Sequence, residues 1–236
     1  LDTLYGALSS KTVSVTNRDN DSPHLVLKMI DQMAKEGKDT ARFSLVLGSV
    51  PTGDVSVLLS DSSSGAQLSF SPNILSFGLN SYNSPQMVVV TATDDLVAET
   101  NSLTYTVTAT ATGSNYNGVN TTSTIDIIDN DVAGVRASKI SGPINEKGQT
   151  STFDVVLNSA PSSSVSMSVS SSDQSEGLVS TNSLSFTTSN WNSPQTIEVT
   201  GVNDALQDGD IDFEIKLTTV TSSDVHYNGI SVNSVK

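Results

Sequence analysis

The sequence contains an internal repeat, and this feature constrains its fold more than any other. Six short motifs occur twice in the same order, with 109 to 111 residues between the members of each pair. The Asn-Ser-Pro-Gln motif at residues 83–86, for example, returns unchanged at residues 192–195. This spacing matches the size of one β-sandwich domain, which is about 100 residues. The chain is therefore predicted to contain two copies of one folding unit.

The phase of the repeat sets the predicted domain boundaries. An Asp-Asn-Asp motif at residues 19–21 recurs at residues 129–131, where it closes a unit. Residues 1–21 are therefore predicted to be the final strand of a preceding unit. Residues 22–131 form the first copy, and residues 132–236 form the second copy, which stops before its own Asp-Asn-Asp motif would occur.

Short segments of alternating apolar and polar residues, separated by Ser, Asn, Gly and Pro, predict β-strands in both copies. Seven strands in each copy predict an all-β fold of two tandem Ig-like, seven-stranded β-sandwich domains. Residues 31–38 are predicted to be a loop, because the repeat aligns them with a segment containing Pro and Gly. The strands are predicted near residues 25–30, 41–48, 54–60, 73–78, 86–93, 102–112 and 121–128, then 135–140, 150–158, 164–170, 182–187, 195–202, 211–220 and 230–236.

The composition limits the possible partners. With 25 acidic and 11 basic residues the net charge is -14, which disfavours binding to nucleic acid or to an anionic membrane. No apolar run approaches the roughly 18 residues that would span a bilayer, so no direct membrane insertion is expected. The chain has no cysteine, and this acidic, Ser- and Thr-rich composition is typical of exported bacterial proteins. An extracellular, cell-surface location is therefore predicted.

Acidic residues recur in the loops after the first, third and fifth predicted strands and at the end of the seventh. In a seven-stranded sandwich these positions lie at the same end of the domain. Two carboxylates 4 Å apart repel by about 4 kcal/mol at an effective dielectric of 20, and calcium, which accepts about 6–8 oxygen ligands, removes that repulsion. The alternative is that these loop acids only face water. The acids are Glu36, Asp61, Asp95, Glu99, Asp129 and Asp131 in the first copy, and Glu146, Asp173, Asp204 and Asp208 in the second.

With these motifs the chain resembles the Calx-beta family, known from sodium–calcium exchangers and from repeats of bacterial surface proteins. The matching features are the Glu-Gly motif at residues 36–37, its counterpart at residues 146–148, the acids after the third and fifth strands, and the closing segment 127–134. The resemblance spans nearly the whole chain. It implies Ig-like sandwiches that bind calcium at one pole through the ten acids named above.

No catalytic constellation is visible, and we predict that the chain is not an enzyme. The two histidines, His24 and His226, have no cysteine partners for zinc, and no Gly-x-Ser-x-Gly motif is present. The leading prediction is a calcium-binding structural repeat module that acts as a stalk or spacer in a large surface protein or adhesin. The alternative is an adhesive module whose repeats bind a glycan or a host protein directly, although aromatic residues make up only 5% of the chain.

Two kinds of protein partner are expected. One is the neighbouring repeats of the same chain. The other is a second molecule, because the N-terminal strand at residues 12–18 has no parent unit and the second copy lacks a complete final strand. Head-to-tail self-association through residues 12–18 is therefore predicted.

Overall fold

The computed structural model describes residues 11–63, 67–100, 102–203, 205–207 and 209–236. It confirms the prediction of a nearly all-β chain built from several sheets. No α-helix occurs in these ranges, and the one short 3-10 helix covers Ser114–Tyr116. The described part of the chain accordingly contains no helix with the length and apolarity needed to cross a membrane.

Within its described residues the first copy forms two sheets. One has the strand order β1-β3-β7-β5, and the other has the order β2-β9-β8-β4-β6. Every strand pair is antiparallel except β2 with β9, which is parallel. The strands are β1 (Leu25–Asp31), β2 (Met33–Lys35), β3 (Thr40–Leu47), β4 (Val55–Asp61), β5 (Leu68–Ser71), β6 (Ile74–Phe77), β7 (Gln86–Ala92), β8 (Leu103–Thr112) and β9 (Asn120–Ile128).

In its described residues, the second copy has the same strand order as the first copy in one of its two sheets. Its sheets have the orders β10-β11-β15-β13 and β14-β12-β16, with β17 also paired to β12. Strands β10, β11, β15 and β13 therefore correspond to β1, β3, β7 and β5. The strands are β10 (Val135–Ala137), β11 (Thr150–Leu157), β12 (Val165–Ser171), β13 (Gly177–Val179), β14 (Ser183–Phe186), β15 (Gln195–Gly201), β16 (Ile215–Leu217) and β17 (Thr221–Ser222).

Each copy buries its own apolar core. Alternate residues of a strand point to opposite faces of its sheet, so β4 buries Val55, Val57 and Leu59 while Ser56 and Leu58 between them face outward. The repeated Phe43 and Phe153 are 0% and 2% exposed and belong to separate core clusters. Full burial of such a side chain stabilises the fold by about 1.5–3 kcal/mol. The conserved spacing of the repeat thus places the same residue types in both cores.

A buried tyrosine fixes a loop in each copy. The Tyr116 hydroxyl donates a hydrogen bond to the Ser49 carbonyl oxygen at 2.8 Å and accepts one from the Ser49 N–H at 2.9 Å. Tyr227 makes the same pair of hydrogen bonds with Ser159, at 2.6 and 3.1 Å. Both tyrosines are 0% exposed. In the first copy, the tyrosine of the repeated Tyr-Asn-Gly motif therefore ties the turn before β9 to the loop after β3. In the second copy, it ties the equivalent turn to the loop after β11.

The structure differs from the sequence prediction in several places. Residues 31–38 are not simply a loop, because β2 forms there by parallel pairing with β9. Strands β5 and β13 were not predicted, because they lie between the third and fourth predicted strands, where Ser, Asp and Gly residues favoured a loop. Residues 230–236 form only a single bridge between Val235 and Ile215 rather than a strand, and residues 12–18 lie outside any strand.

Candidate metal centre

Strand β2 carries Glu36 into the end of the first copy. Directly after β2, the Glu36 N–H donates a hydrogen bond to the Ile128 carbonyl oxygen at 3.1 Å. Gly37 has a φ of 64°, a conformation that costs glycine little. A Cβ at Gly37 would also lie only 2.9 Å from Asp94 Oδ1. The Glu-Gly motif therefore turns the chain sharply while the glutamate side chain points inward.

Two aspartates that follow β9 meet Glu36. Carboxylate oxygens of Glu36, Asp129 and Asp131 all lie within 4.8 Å of one another, and we call this group the acidic cluster. Asp129 Oδ1 accepts a hydrogen bond from the Asp131 N–H at 2.7 Å, and its Oδ2 accepts one from the Glu99 N–H at 2.6 Å. Asp129 thereby joins the end of β9 to the loop between β7 and β8.

Glu36 is the unusual member of this cluster. Its side chain is 1% exposed, and neither of its carboxylate oxygens has a hydrogen-bond partner. Asp131 Oδ2 is buried without a partner as well. Burial of an ionised carboxylate without compensation costs several kcal/mol. A positively charged partner would therefore stabilise these oxygen atoms.

The electrostatic environment raises the pKa of Glu36, Glu99 and Asp131. Burial, followed by the charges of Asp129, Asp95, Glu99 and Asp131, raises the pKa of Glu36 to about 7. Burial and neighbouring acids also raise the pKa of Glu99 and of Asp131. Like charges at short distance disfavour ionisation of each other. The end of the first copy is thus a region of concentrated negative potential.

The sequence reasoning missed Asn130 and its partner Asp94, which lie beside the acidic cluster. The Asn130 side-chain amide donates hydrogen bonds to the Glu36 carbonyl oxygen at 3.0 Å and to Asp94 Oδ1 at 2.7 Å. Asn130 therefore fixes the turn that presents Glu36. Its place in the middle of the repeated Asp-Asn-Asp motif was the signal that could have identified it.

Two of the other predicted acids of the first copy lie near the cluster. Asp95 and Glu99 are close enough to raise the pKa of Glu36. Asp95 Oδ1 accepts a hydrogen bond from the Val97 N–H at 2.8 Å. Asp61 Oδ1 accepts one from the Ser63 N–H at 2.7 Å, and Asp61 is not part of the three-residue cluster.

Only two of the four predicted site residues of the second copy, Glu146 and Asp173, lie within the described residues. Glu146 is exposed. Asp173 accepts hydrogen bonds from the side chain and the backbone of Ser175, and these bonds lower its pKa. Asp204 and Asp208 lie outside the described residues. Among the residues that can be compared, no cluster equivalent to that of Glu36, Asp129 and Asp131 is found.

The burial of Glu36 has a physical cause. Pairing of β2 with β9 brings Glu36 against the end of β9.

The loop that carries Asp95 and Glu99 also contacts the second copy. The Leu96 carbonyl oxygen accepts a hydrogen bond from the Ala160 N–H at 2.6 Å, and Val97 forms a parallel bridge with Ala160. His226 of the second copy lies near enough to Glu99 to oppose the rise in its pKa. One loop therefore contacts both the acidic cluster and the neighbouring copy.

The donor set suits a hard cation. The acids in and around the cluster offer carboxylate oxygens, which are the ligands that calcium and magnesium prefer. Glu36, Asp129 and Asp131 could hold the ion directly, with Asp95 and Glu99 as neighbouring donors. The unpartnered oxygens of Glu36 and Asp131 fit this role.

No protein-family model matches the chain, and no curated protein matches it significantly. Among solved structures, the chain is similar to a mutant of Salmonella alpha-2-macroglobulin, with 11% identity and a TM-score of 0.31 over 92% of this chain and 16% of that one. It is also similar to the E. coli chaperone DraB, with 8% identity and a TM-score of 0.33 over 90% of this chain and 97% of that one. The human Desmocollin-1 ectodomain matches with 8% identity and a TM-score of 0.29 over 91% of this chain and 38% of that one.

The chain spans only 16% of the length of the alpha-2-macroglobulin structure. All three TM-scores lie well below 0.5. These similarities therefore carry no inference about what the chain binds or does.

Proposed function

We propose that this chain is a calcium-binding structural module of Calx-beta type. In this proposal, two tandem Ig-like β-sandwich domains act as a stalk or spacer in a large extracellular surface protein. One observation carries it: the Glu36 carboxylate is buried, has no hydrogen-bond partner and faces two further carboxylates. Neither of the two ion pairs in the described ranges involves Glu36. A cation from outside the chain would complete this arrangement.

Calcium fits this arrangement better than magnesium. The acids come from three separate segments, after β2, after β7 and after β9. Calcium tolerates six to eight oxygens in irregular geometry, whereas magnesium demands a nearly ideal octahedron. Extracellular calcium modules commonly bind with dissociation constants of about 10⁻⁴–10⁻³ M, so modest affinity would suffice outside the cell.

The contact between the copies supports a spacer role. Glu99 donates its backbone N–H to Asp129, while Leu96 in the same loop accepts a hydrogen bond from Ala160. An ion that neutralises the acids around this loop would order the loop. An ordered loop would in turn restrict the orientation of the second copy. Calcium would thus stiffen the junction rather than take part in chemistry.

Thermal unfolding with calcium and with a chelator tests the metal site. At a calcium concentration 100 times the dissociation constant, the free energy of unfolding should rise by about 2.7 kcal/mol. Glu36→Gln should abolish this gain, because it removes the charge of the buried ligand. Glu146→Gln is the matched control, since Glu146 is the exposed equivalent in the second copy, and it should keep the full gain. Identical melting temperatures of the unmodified chain with calcium and with chelator would contradict the proposal.

A distance measurement tests the spacer role separately. The chain has no cysteine, so spin labels can be attached through Leu58→Cys in the first copy and Leu178→Cys in the second. Both leucines are 51% exposed. Calcium should narrow the distribution of distances between the labels, and Glu36→Gln should prevent the narrowing. If calcium binds without narrowing the distribution, the metal site stands and the spacer role fails.

A further inference from the structure

The outer face of the sheet β1-β3-β7-β5 carries two basic residues, although the chain as a whole has a net charge of -14. Lys28 of β1 and Arg42 of β3 are both exposed on this face. Ser44 lies opposite Lys28 and two residues from Arg42. The two basic residues are therefore diagonal neighbours on adjacent strands, about 7–8 Å apart. We call this surface the basic face.

Apolar side chains lie beside Lys28 on the basic face. Val26 and Ile30 stand two residues before and after it on β1, and Met87 lies beyond Ser44, which pairs with both Lys28 and Met87. Val26, Ile30 and Met87 are 44%, 48% and 46% exposed. Burial of apolar surface is the main favourable term in most protein association, whereas charges mainly select the partner and its orientation. The basic face therefore has both components of a protein-binding surface.

The two basic groups are able to accept a carboxylate from outside the chain. Lys28 takes part in neither of the two ion pairs found among the described residues. Arg42 donates its Nε–H to Asp31 at 2.8 Å. Because a guanidinium carries five N–H donors, this bond leaves donors for a further acceptor.

The equivalent face of the second copy carries two acids instead. Asp154 of β11 and Glu198 of β15 are both exposed on it, and Thr196 lies opposite Asp154 and two residues from Glu198. The two acids are therefore diagonal neighbours with the same spacing as the two basic residues of the first copy. We call this surface the acidic face. Among its strands, the one basic residue is Arg136, which lies on the edge strand β10.

The repeat shows that these charges are specific to each copy. At four equivalent positions one copy has a charged residue and the other has a neutral one. The equivalent pairs are Lys28 and Ser138, Arg42 and Thr152, Ser44 and Asp154, and Val89 and Glu198. Two faces of the same sign would repel each other, whereas faces of opposite sign with equal spacing of their charges attract. The acidic face of one molecule thus complements the basic face of another.

We propose that the basic face is a docking surface, and that its occupant is the acidic face of a second copy of this chain. All four charged side chains are exposed, so the two faces do not cover each other within one chain. The contact joins unlike surfaces of two molecules and is therefore heterologous. Neither face contains the acidic cluster, so the association does not depend on the proposed calcium site.

Sedimentation velocity over a range of concentrations, in chelator and at low salt, tests the association. The unmodified chain should form oligomers, and added salt should weaken them because it screens exposed charges. Lys28→Glu combined with Arg42→Glu should weaken association by about tenfold or more. Lys147→Glu combined with Lys216→Glu changes the net charge equally at exposed positions outside both faces, and it should leave association unchanged. An unmodified chain that stays monomeric at every concentration would overturn the proposal.

Charge reversal on both sides tests whether the two faces contact each other. Asp154→Lys combined with Glu198→Lys should weaken association as much as the Lys28 and Arg42 variant does. An equimolar mixture of the two variants should associate again, because one variant is acidic on both faces and the other is basic on both. All substitutions are at exposed positions, and unchanged circular dichroism of each variant confirms that it is folded. A mixture that associates no better than its separate components would overturn the pairing of the two faces.

Discussion

Among the described residues, each copy buries one acidic residue, and the two acids have different surroundings. Asp224 of the second copy is 3% exposed, and Glu36 of the first is 1% exposed. Asp224 accepts hydrogen bonds from the backbone N–H groups of Ser162 at 2.7 Å and His226 at 2.9 Å. Glu36 accepts none.

The comparison separates a structural acid from a candidate ligand. Burial raises the pKa of Asp224, but the hydrogen bonds from Ser162 and His226 outweigh it and the net pKa is lowered. The neighbours of Glu36 are other acids, so burial and repulsion act together and raise its pKa to about 7. A buried acid with donors in the fold is already stabilised as an anion. One surrounded by acids is stabilised only by a proton or by a cation from solution.

The largest effect is expected from removal of Asp224. Asp224→Ala leaves two N–H groups without their acceptor, and each costs about 1–3 kcal/mol. Chemical unfolding should show a loss of about 2–4 kcal/mol that is the same with calcium and with chelator. Asp154→Ala, at an exposed acid that accepts a hydrogen bond from Thr196, should cost about 0.5 kcal/mol or less. If calcium restores the lost free energy of unfolding, Asp224 is coupled to the metal site. The contrast with Glu36 would then be wrong.

The pH dependence of the metal-free protein should follow Glu36. Its pKa is about 7 in the folded chain against 4.5 for an unperturbed glutamate, so the folded state holds the extra proton between these values. Stability should therefore fall as pH rises from about 4.5 to 7, by at most about 3 kcal/mol. Urea unfolding of thoroughly demetallated protein at several pH values measures this slope.

Calcium should reverse the pH dependence, because the ion needs ionised ligands and loses affinity as they gain protons. Glu36→Gln should reduce the slope of the metal-free protein without removing it, since the raised pKa values of Glu99 and Asp131 act in the same direction. A metal-free protein that becomes more stable between pH 5 and pH 7 would contradict the assignment.

The proximity of Glu36, Asp129 and Asp131 could be predicted from the sequence. Their loops follow strands whose order places them at one end of a sandwich, and the repeat supplied the strand order. Glu36 was identified together with Glu146, because the two occupy equivalent positions in the repeat. Local residue type and spacing were sufficient for this step.

The burial of Glu36 could not be predicted in the same way. It depends on β2, a strand of three residues that pairs in parallel with β9. Such a pairing joins segments about 90 residues apart and leaves no local pattern in either one. Asp224 was overlooked for a related reason, since its donors come from Ser162, which is distant in sequence.

The two buried tyrosines offer the smallest and most controlled comparison between the copies. Tyr227 bonds to Ser159, which is 0% exposed, whereas Ser49, the partner of Tyr116, is only half-buried. Tyr227→Phe should therefore cost about 1–3 kcal/mol, because two buried backbone groups lose their partner. Tyr116→Phe should cost about 1 kcal/mol or less, because water can reach Ser49 and replace the hydroxyl.

Both tyrosine variants should be measured by urea unfolding at saturating calcium, so that the metal site contributes equally. Tyr82→Phe, at a tyrosine whose hydroxyl makes neither of these bonds, controls for the loss of a hydroxyl as such. If Tyr116→Phe and Tyr227→Phe cost the same, access of water to the serine does not set the cost of the lost bonds. The difference between stabilisation by hydrogen bonds within the fold and stabilisation from solution would then apply only to the carboxylates, which carry a full charge.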